Sequence, residues 1–238
     1  MRTMPETARR HFDEDIARAE RILESADTFA GRLQSDMRIS AIALAVGAMD
    51  AYLCDAYVDC LSNALRAYFI GNWSGRLPSH YANQQLPAGE ILDNSRTIRP
   101  LWSIRMAARK TMERNDMLSL SRLKDHFNPI LPPNEKIWVD FLPRLLSYGH
   151  KRLTGPLTEE EIAGLKGDAL NKANNKAISV LKRRIASIIQ IRHDWIHNCA
   201  RPRESIHEYT KGEAEIRIRH IRYFICELDN HLEEHRLA

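Results

Sequence analysis

Cysteine is scarce in this chain and poorly spaced for chemistry. Four occur, at 54, 60, 199 and 226, with no C-x-x-C pair; this argues against a cysteine-based zinc site and for reduced thiols in a cytoplasmic protein. A large charge excess is missing too. Thirty-five Lys and Arg against 31 Asp and Glu leave +4, a balance that permits nucleic-acid binding without arguing for it. No apolar run is long: ISAIALAVGAM is interrupted by Asp50 and again by Asp55, which reads as a buried helix rather than a membrane span. The first twenty residues, MRTMPETARRHFDEDIARAE, are charged and lack the apolar core of a signal peptide. The expectation is a soluble intracellular protein without a membrane partner. Strand-like alternation is absent, as is any repeat at solenoid period. What remains, 44% hydrophobic and 28% charged residues, is ordinary globular composition and excludes wholesale disorder.

Helical periodicity fills most of that composition. A first helix is expected from about Ala8 to Gln34, with an apolar stripe through Ile16, Ala19, Ile22 and Leu23. A second, about Arg38 to Ile70, carries Ile39, Ile42, Val46, Met49, Leu53 and Tyr57 at spacings of three and four. Its small residues (Ala41, Ala43, Ala45, Gly47, Ala48, Ala51) would let neighbours approach closely, which makes it the expected centre of a bundle. From Gly71 to about Arg99 the texture turns to Gly, Pro, Asn and Ser and reads as loop. Shorter helices follow around 101–114, 119–127 and 134–149. A third long helix runs from about Asp168 to Asn198, and a fourth from about 205 to 235, with Ser205 as its N-cap. The predicted fold is all-α. It is a single domain over 1–238, an antiparallel helical bundle whose core helices span about 8–70 and 168–235, with 71–165 a loop-and-short-helix insertion.

One position breaks the pattern. The stripe of the third long helix is Ile178, Leu181, Ile185, Ile188, Arg192, Trp195, so Arg192 stands where an apolar residue belongs. A guanidinium drawn toward a core needs a carboxylate, a carbonyl cluster or a ligand anion. Asp50 and Asp55, set in an apolar helix, are the internal candidates, and a structural Arg–Asp bridge is one reading. One residue later comes His193, and a turn beyond it His197. A histidine pair at i, i+4 can hold zinc, but HDWIH lacks the H-E-x-x-H pattern. Arg192 and His197 lie about 140° apart around a regular helix. A straight helix alone cannot line one site with both, so a bend, a helix end near Asn198 or a second chain is required.

RHDWIH resembles the signature of the HEPN superfamily: Arg, a polar residue, three further residues, then His. The alanine-rich second helix, ALAVGAMDAYLCDAYV, is also similar to the corresponding helix of RiboL-PSP-type HEPN domains. The resemblance covers the outer helical pairs and leaves the insertion unexplained. Arg and His at comparable spacing also occur at Arg144…His150 and Arg201…His207. In the first, Leu145 replaces the polar residue; in the second, Pro202 does so and breaks the helix.

The resemblance implies a metal-independent endoribonuclease that needs no cofactor and acts as a homodimer with a composite site on RNA. A toxin or phage-defence role follows from it, with an antitoxin or other regulatory protein as a possible partner. On that basis His197 is the acid–base residue, Arg192 the phosphate and transition-state stabiliser, and His193 the orienting polar residue. The chemistry suits these residue types. Histidine titrates near neutrality, and a guanidinium keeps its charge while donating two hydrogen bonds to a phosphoryl group. Lys182 and Arg183, two to three turns earlier, could contact RNA phosphates, with Asp194 and Asn198 as polar neighbours of the substrate. A solvated helix face explains the two cations equally well, and Asn198 also reads as a helix terminator. Further cations at Arg105, Arg109, Lys110, Arg114, Arg217, Arg219 and Arg222 admit the same two readings, RNA contact or solvated face, and Trp102, Trp138 and Trp195, which could stack bases, are read as core. Cys199 stands where tyrosine-modified toxins of this superfamily carry tyrosine, so that form of regulation is not implied. A non-catalytic HEPN-like module binding RNA, a nucleotide or a protein is the alternative.

Overall fold

The computed structural model describes residues 5–69, 85–94, 100–112, 118, 120–128, 131, 136–148, 151–155, 159–198 and 208–234. Among these there are helices and no strand: α1 (Pro5–Ser25), α2 (Gly31–Phe69), α3 (Ala88–Asn94), α4 (Pro100–Met112), α5 (Leu120–Phe127), α6 (Ile137–Ser147), α7 (Lys151–Thr154), α8 (Glu159–Ala163), α9 (Gly167–Asn198) and α10 (Lys211–Glu234). The fold is all-α. Most of the segment read as loop after Gly71, together with Arg114, Cys199 and Ser205, lies outside the described residues.

Three helix boundaries depart from the periodicity by six residues or more: the end of the first long helix and the starts of the second and of the last. The first helix ends at Ser25 rather than Gln34, and a 3-10 turn over Ala26–Thr28 leads into α2. The Thr28 hydroxyl donates to the Ser25 carbonyl (2.7 Å) and the Phe29 N–H to the Ala26 carbonyl (3.2 Å). Gly31 then takes φ +61°, a conformation glycine adopts without steric cost. The Asp, Thr and Gly of ADTFAG are turn chemistry, and here it overrides the apolar spacing. The last helix starts at Lys211, later than expected, behind a reciprocal capping box. The Thr210 N–H donates to Glu213 Oε2 (2.9 Å), and the Glu213 N–H to Thr210 Oγ1 (3.3 Å).

Packing divides the chain into two compact units, one of residues 10–49 and 138–230, the other of 1–9, 50–137 and 231–238. In the first unit the stripes are buried as their spacing dictates. Phe12, Ile16, Ala19 and Leu23 of α1, Ile39, Ile42 and Val46 of α2, Leu181, Ile185 and Ile188 of α9, and Ile218, Ile221 and Ile225 of α10 are all buried. Helix α6 contributes the aromatic part. Phe141 meets Phe224 of α10 edge-on at 5.7 Å, and Trp138 lies over the same ring at 6.4 Å. Leu142 and Leu146 close on Ala177 of α9. Cross-helix ion pairs, Arg222–Glu20 (2.9 Å) and Lys211–Asp27 (2.5 Å), rim this core. The hydrogen bond from Lys211 holds the exposed Asp27 carboxyl below its ordinary range.

In the second unit the C-terminal half of α2 buries Tyr52, Leu53, Tyr57 and Leu61. Tyr57 meets His126 and Phe127 of α5 edge-on, at 5.0 and 6.3 Å. Burial pushes its phenol up to about 12. Folding therefore gains from the neutral phenol up to about pH 10, and that gain is lost as pH rises through about 12. Asp59, only 1% exposed, pairs with Arg105 of α4, and Asp55 with Arg109 at 3.6 Å. These arginines, read from the sequence as RNA contacts or a solvated face, are committed to α2. Trp102, read as core, is 41% exposed.

Helix α2 begins at Gly31, seven residues before the expected start at Arg38, and runs unbroken through Asp50 and Asp55. Gly31–Asn63 is long and apolar enough to cross a membrane, at mean hydropathy 1.5, with 56% of that window buried. Of its small residues, Ala41, Ala45 and Ala48 are buried as close packing requires, while Ala51 is exposed. A side-chain carbon at Gly47 would meet nothing within 4 Å. Gly47→Ala should therefore raise stability by about 0.5–1 kcal/mol through helix propensity, measurable by urea unfolding.

Candidate functional site

The last two turns of α9 carry the unusual side chains. Leu181, Ile185 and Ile188 are buried, and the stripe then thins: Arg192 and Trp195 are half-buried, while His193, Ile196 and His197 are exposed. The core side of the helix thus runs out where Arg192 enters. Asp55, one of its expected partners, is bound to Arg109 instead. Among the described residues no hydrogen bond or ion pair holds the Arg192 guanidinium. A half-buried cation without a counter-ion has given up part of its hydration and has gained nothing for it, which disposes it to bind an anion.

His193 and His197 lie one turn apart on the same exposed face, and their rings come together with centroids at 4.5 Å and planes inclined by 45°. The two imidazoles form one patch. Among the described residues they gather no third His, Cys, Asp or Glu in metal-binding arrangement. Ile196, beside them, is 53% exposed.

Helix α9 continues as α-helix through Asn198 without a break. The helix ends there, as expected, and both Arg192 and His197 lie within it. The two side chains leave one regular helix about 140° apart, and the chain by itself does not converge them. His193 and His197 are brought together; Arg192 is not brought to either.

The flanking residues divide. Arg183 is exposed, on the side of α9 turned away from the core. Lys182 is engaged elsewhere, its ammonium 4.5 Å from the centre of the Trp138 ring, which makes it a packing residue rather than a free phosphate contact. Asp194 accepts a hydrogen bond from the Gln190 amide at 2.8 Å. For Asn198 the helical backbone is described and the side chain is not.

One neighbouring group escaped the sequence reading. Tyr209, just before α10, accepts a hydrogen bond at its carbonyl from Arg38 of α2 (3.1 Å) and has the Arg217 guanidinium over its ring at 4.8 Å. Burial raises its phenol, Arg217 opposes the rise, and Asp194 adds to it. That coupling places Tyr209 within electrostatic reach of the end of α9. Periodicity places its segment in the first turn of a helix beginning at about 205, and nothing in that pattern marks the residue. No family model, curated protein or solved structure matches this chain.

Proposed function

We propose that the chain is a metal-independent endoribonuclease of the HEPN type, acting in the cytoplasm as a homodimer and serving as a toxin or phage-defence effector under the control of a regulatory protein. The observation that carries the reading is a half-buried Arg192, without a partner among the described residues, and two exposed, adjacent histidines in the last turns of one helix. That combination supplies an anion receptor and imidazoles for proton transfer, the minimum for cleaving RNA through its own 2′-hydroxyl.

In the proposed reaction His197 takes the 2′-hydroxyl proton and the 2′-oxygen attacks the adjacent phosphorus. The bond from phosphorus to the 5′-oxygen breaks, and that oxygen leaves with a proton delivered by imidazolium. The products are a 2′,3′-cyclic phosphate and a 5′-hydroxyl. Arg192 holds the phosphoryl oxygens through the charged transition state, and His193 orients the phosphate beside His197. Because Arg192 and His197 diverge on an unbroken helix, the full set assembles when a second copy presents its own 192–197 segment across a twofold axis. Ile196, exposed beside the histidines, is buried in that contact. Ile196→Glu is expected to convert the dimer to monomer in analytical ultracentrifugation and to lower cleavage at least tenfold. A variant that stays dimeric and fully active would contradict the composite site. The direct test of the activity is cleavage of purified total RNA in EDTA, followed by end-group analysis.

A further inference from the structure

We propose that the exposed face of α9 is the track along which a single RNA strand reaches the His193–His197 pair; this rests on the ribonuclease reading and names how its substrate is held. The helix has six basic residues against two acidic ones, an excess of four that equals the excess of the entire chain. In α1, α2 and α10 acidic residues outnumber basic ones. Between Asp168, in the first turn, and Asp194, which accepts the Gln190 amide, α9 has no carboxylate.

Position around the helix turns this composition into a surface. Lys172, Lys176, Arg183 and Gln190 fall within about 40° of one another, and His197 about 40° from Arg183, at ~100° per residue. All five are exposed. Ala177, Leu181, Ile185 and Ile188 occupy the opposite, buried side. Among the described residues Lys172, Lys176 and Arg183 have no ion-pair partner, whereas Arg222 of α10 and Arg109 of α4 are neutralised by Glu20 and Asp55. One row of free cations complements one row of phosphates, which favours a single strand over a duplex. Since no aromatic side chain stands in that row, recognition is of the backbone and tolerant of sequence. From Lys172 to His197 the row extends ~37 Å at ~1.5 Å per residue, room for several nucleotides of an extended single strand.

The test uses full-length protein and a fluorescent 2′-O-methyl 12-mer, which lacks the attacking hydroxyl and so reports binding alone. The triple variant Lys172→Gln, Lys176→Gln, Arg183→Gln is compared with a control that removes equal charge elsewhere, Arg10→Gln, Arg21→Gln, Lys124→Gln. The track variant is expected to bind about a hundredfold more weakly at 0.1 M salt, and its slope of log K against log salt to fall by about 2, given ~0.7 ions released per neutralised phosphate. The control should change little, and a 4-mer should bind far more weakly than the 12-mer. Equal losses in both triple variants, or a duplex binding as well as the single strand, would overturn the track. If wild type cleaves RNA while the track variant binds normally, the track alone falls. If wild type neither binds nor cleaves RNA, the ribonuclease reading falls first.

Discussion

Alanine at Arg192 is expected to lower RNA cleavage by about 10²–10³-fold, the usual effect of removing one donor to a developing oxyanion, without lowering the melting temperature. The second half of that expectation separates function from structure. Arg192 has no hydrogen-bond or ion-pair partner among the described residues, so its removal orphans no buried group, and relief of a poorly solvated charge can even raise stability slightly. His197→Ala should lose at least as much activity, about 10²–10⁴-fold, and its exposed ring makes the stability change negligible. Mixing the two inactive variants offers a sharper version. If each dimer site takes Arg192 from one copy and His197 from the other, heterodimers retain one intact site and recover part of the activity. An Arg192→Ala protein that melts far below wild type, yet cleaves RNA as well as wild type at temperatures where it is folded, would return Arg192 to a structural role.

The largest loss of stability is expected far from the histidines along the chain, at Arg105. Its carboxylate partner, Asp59, is 1% exposed on α2, and removing one member of a buried pair leaves the other charge uncompensated. Arg105→Ala should therefore cost about 3–5 kcal/mol, read from urea unfolding. The neighbouring pair gives the internal control. Arg109 is 56% exposed and stands 3.6 Å from Asp55, so Arg109→Ala should cost under about 1 kcal/mol. Replacing Asp59 and Arg105 together by leucine is expected to recover most of the loss, because the desolvated charges disappear together. A double variant as unstable as Arg105→Ala would mean that α2 and α4 depend on the shape of the pair and not on its charge.

How much of this was legible in the sequence follows from the range of each interaction. The buried stripes of α1, α2, α9 and α10 were readable because a helix buries one face at fixed spacing, and the residues that carry the stripe are the residues that pack. Turn chemistry at Asp27, Thr28 and Gly31 and the Thr210–Glu213 capping box were also present in the sequence. Apolar spacing across the first, and Ser205 ahead of the second, drew the boundaries elsewhere. The long-range polar pairs were invisible. Nothing local says that Arg105 seeks Asp59, that Arg109 takes Asp55, or that Lys182 lies over Trp138; these depend on which helices become neighbours. Of the site, the sequence marked Arg192 by its intrusion into a stripe, and His193 with His197 by their one-turn spacing. It could not place Tyr209, whose neighbours arrive from α2 and α10.

The decisive measurement is cleavage of purified RNA in the presence of EDTA, wild type beside His197→Ala. Wild type is expected to yield fragments ending in 2′,3′-cyclic phosphate and 5′-hydroxyl, and His197→Ala, equally folded, almost none. Cleavage retained in His197→Ala, or fragments with a 3′-hydroxyl and a 5′-phosphate, would contradict the proposed reaction.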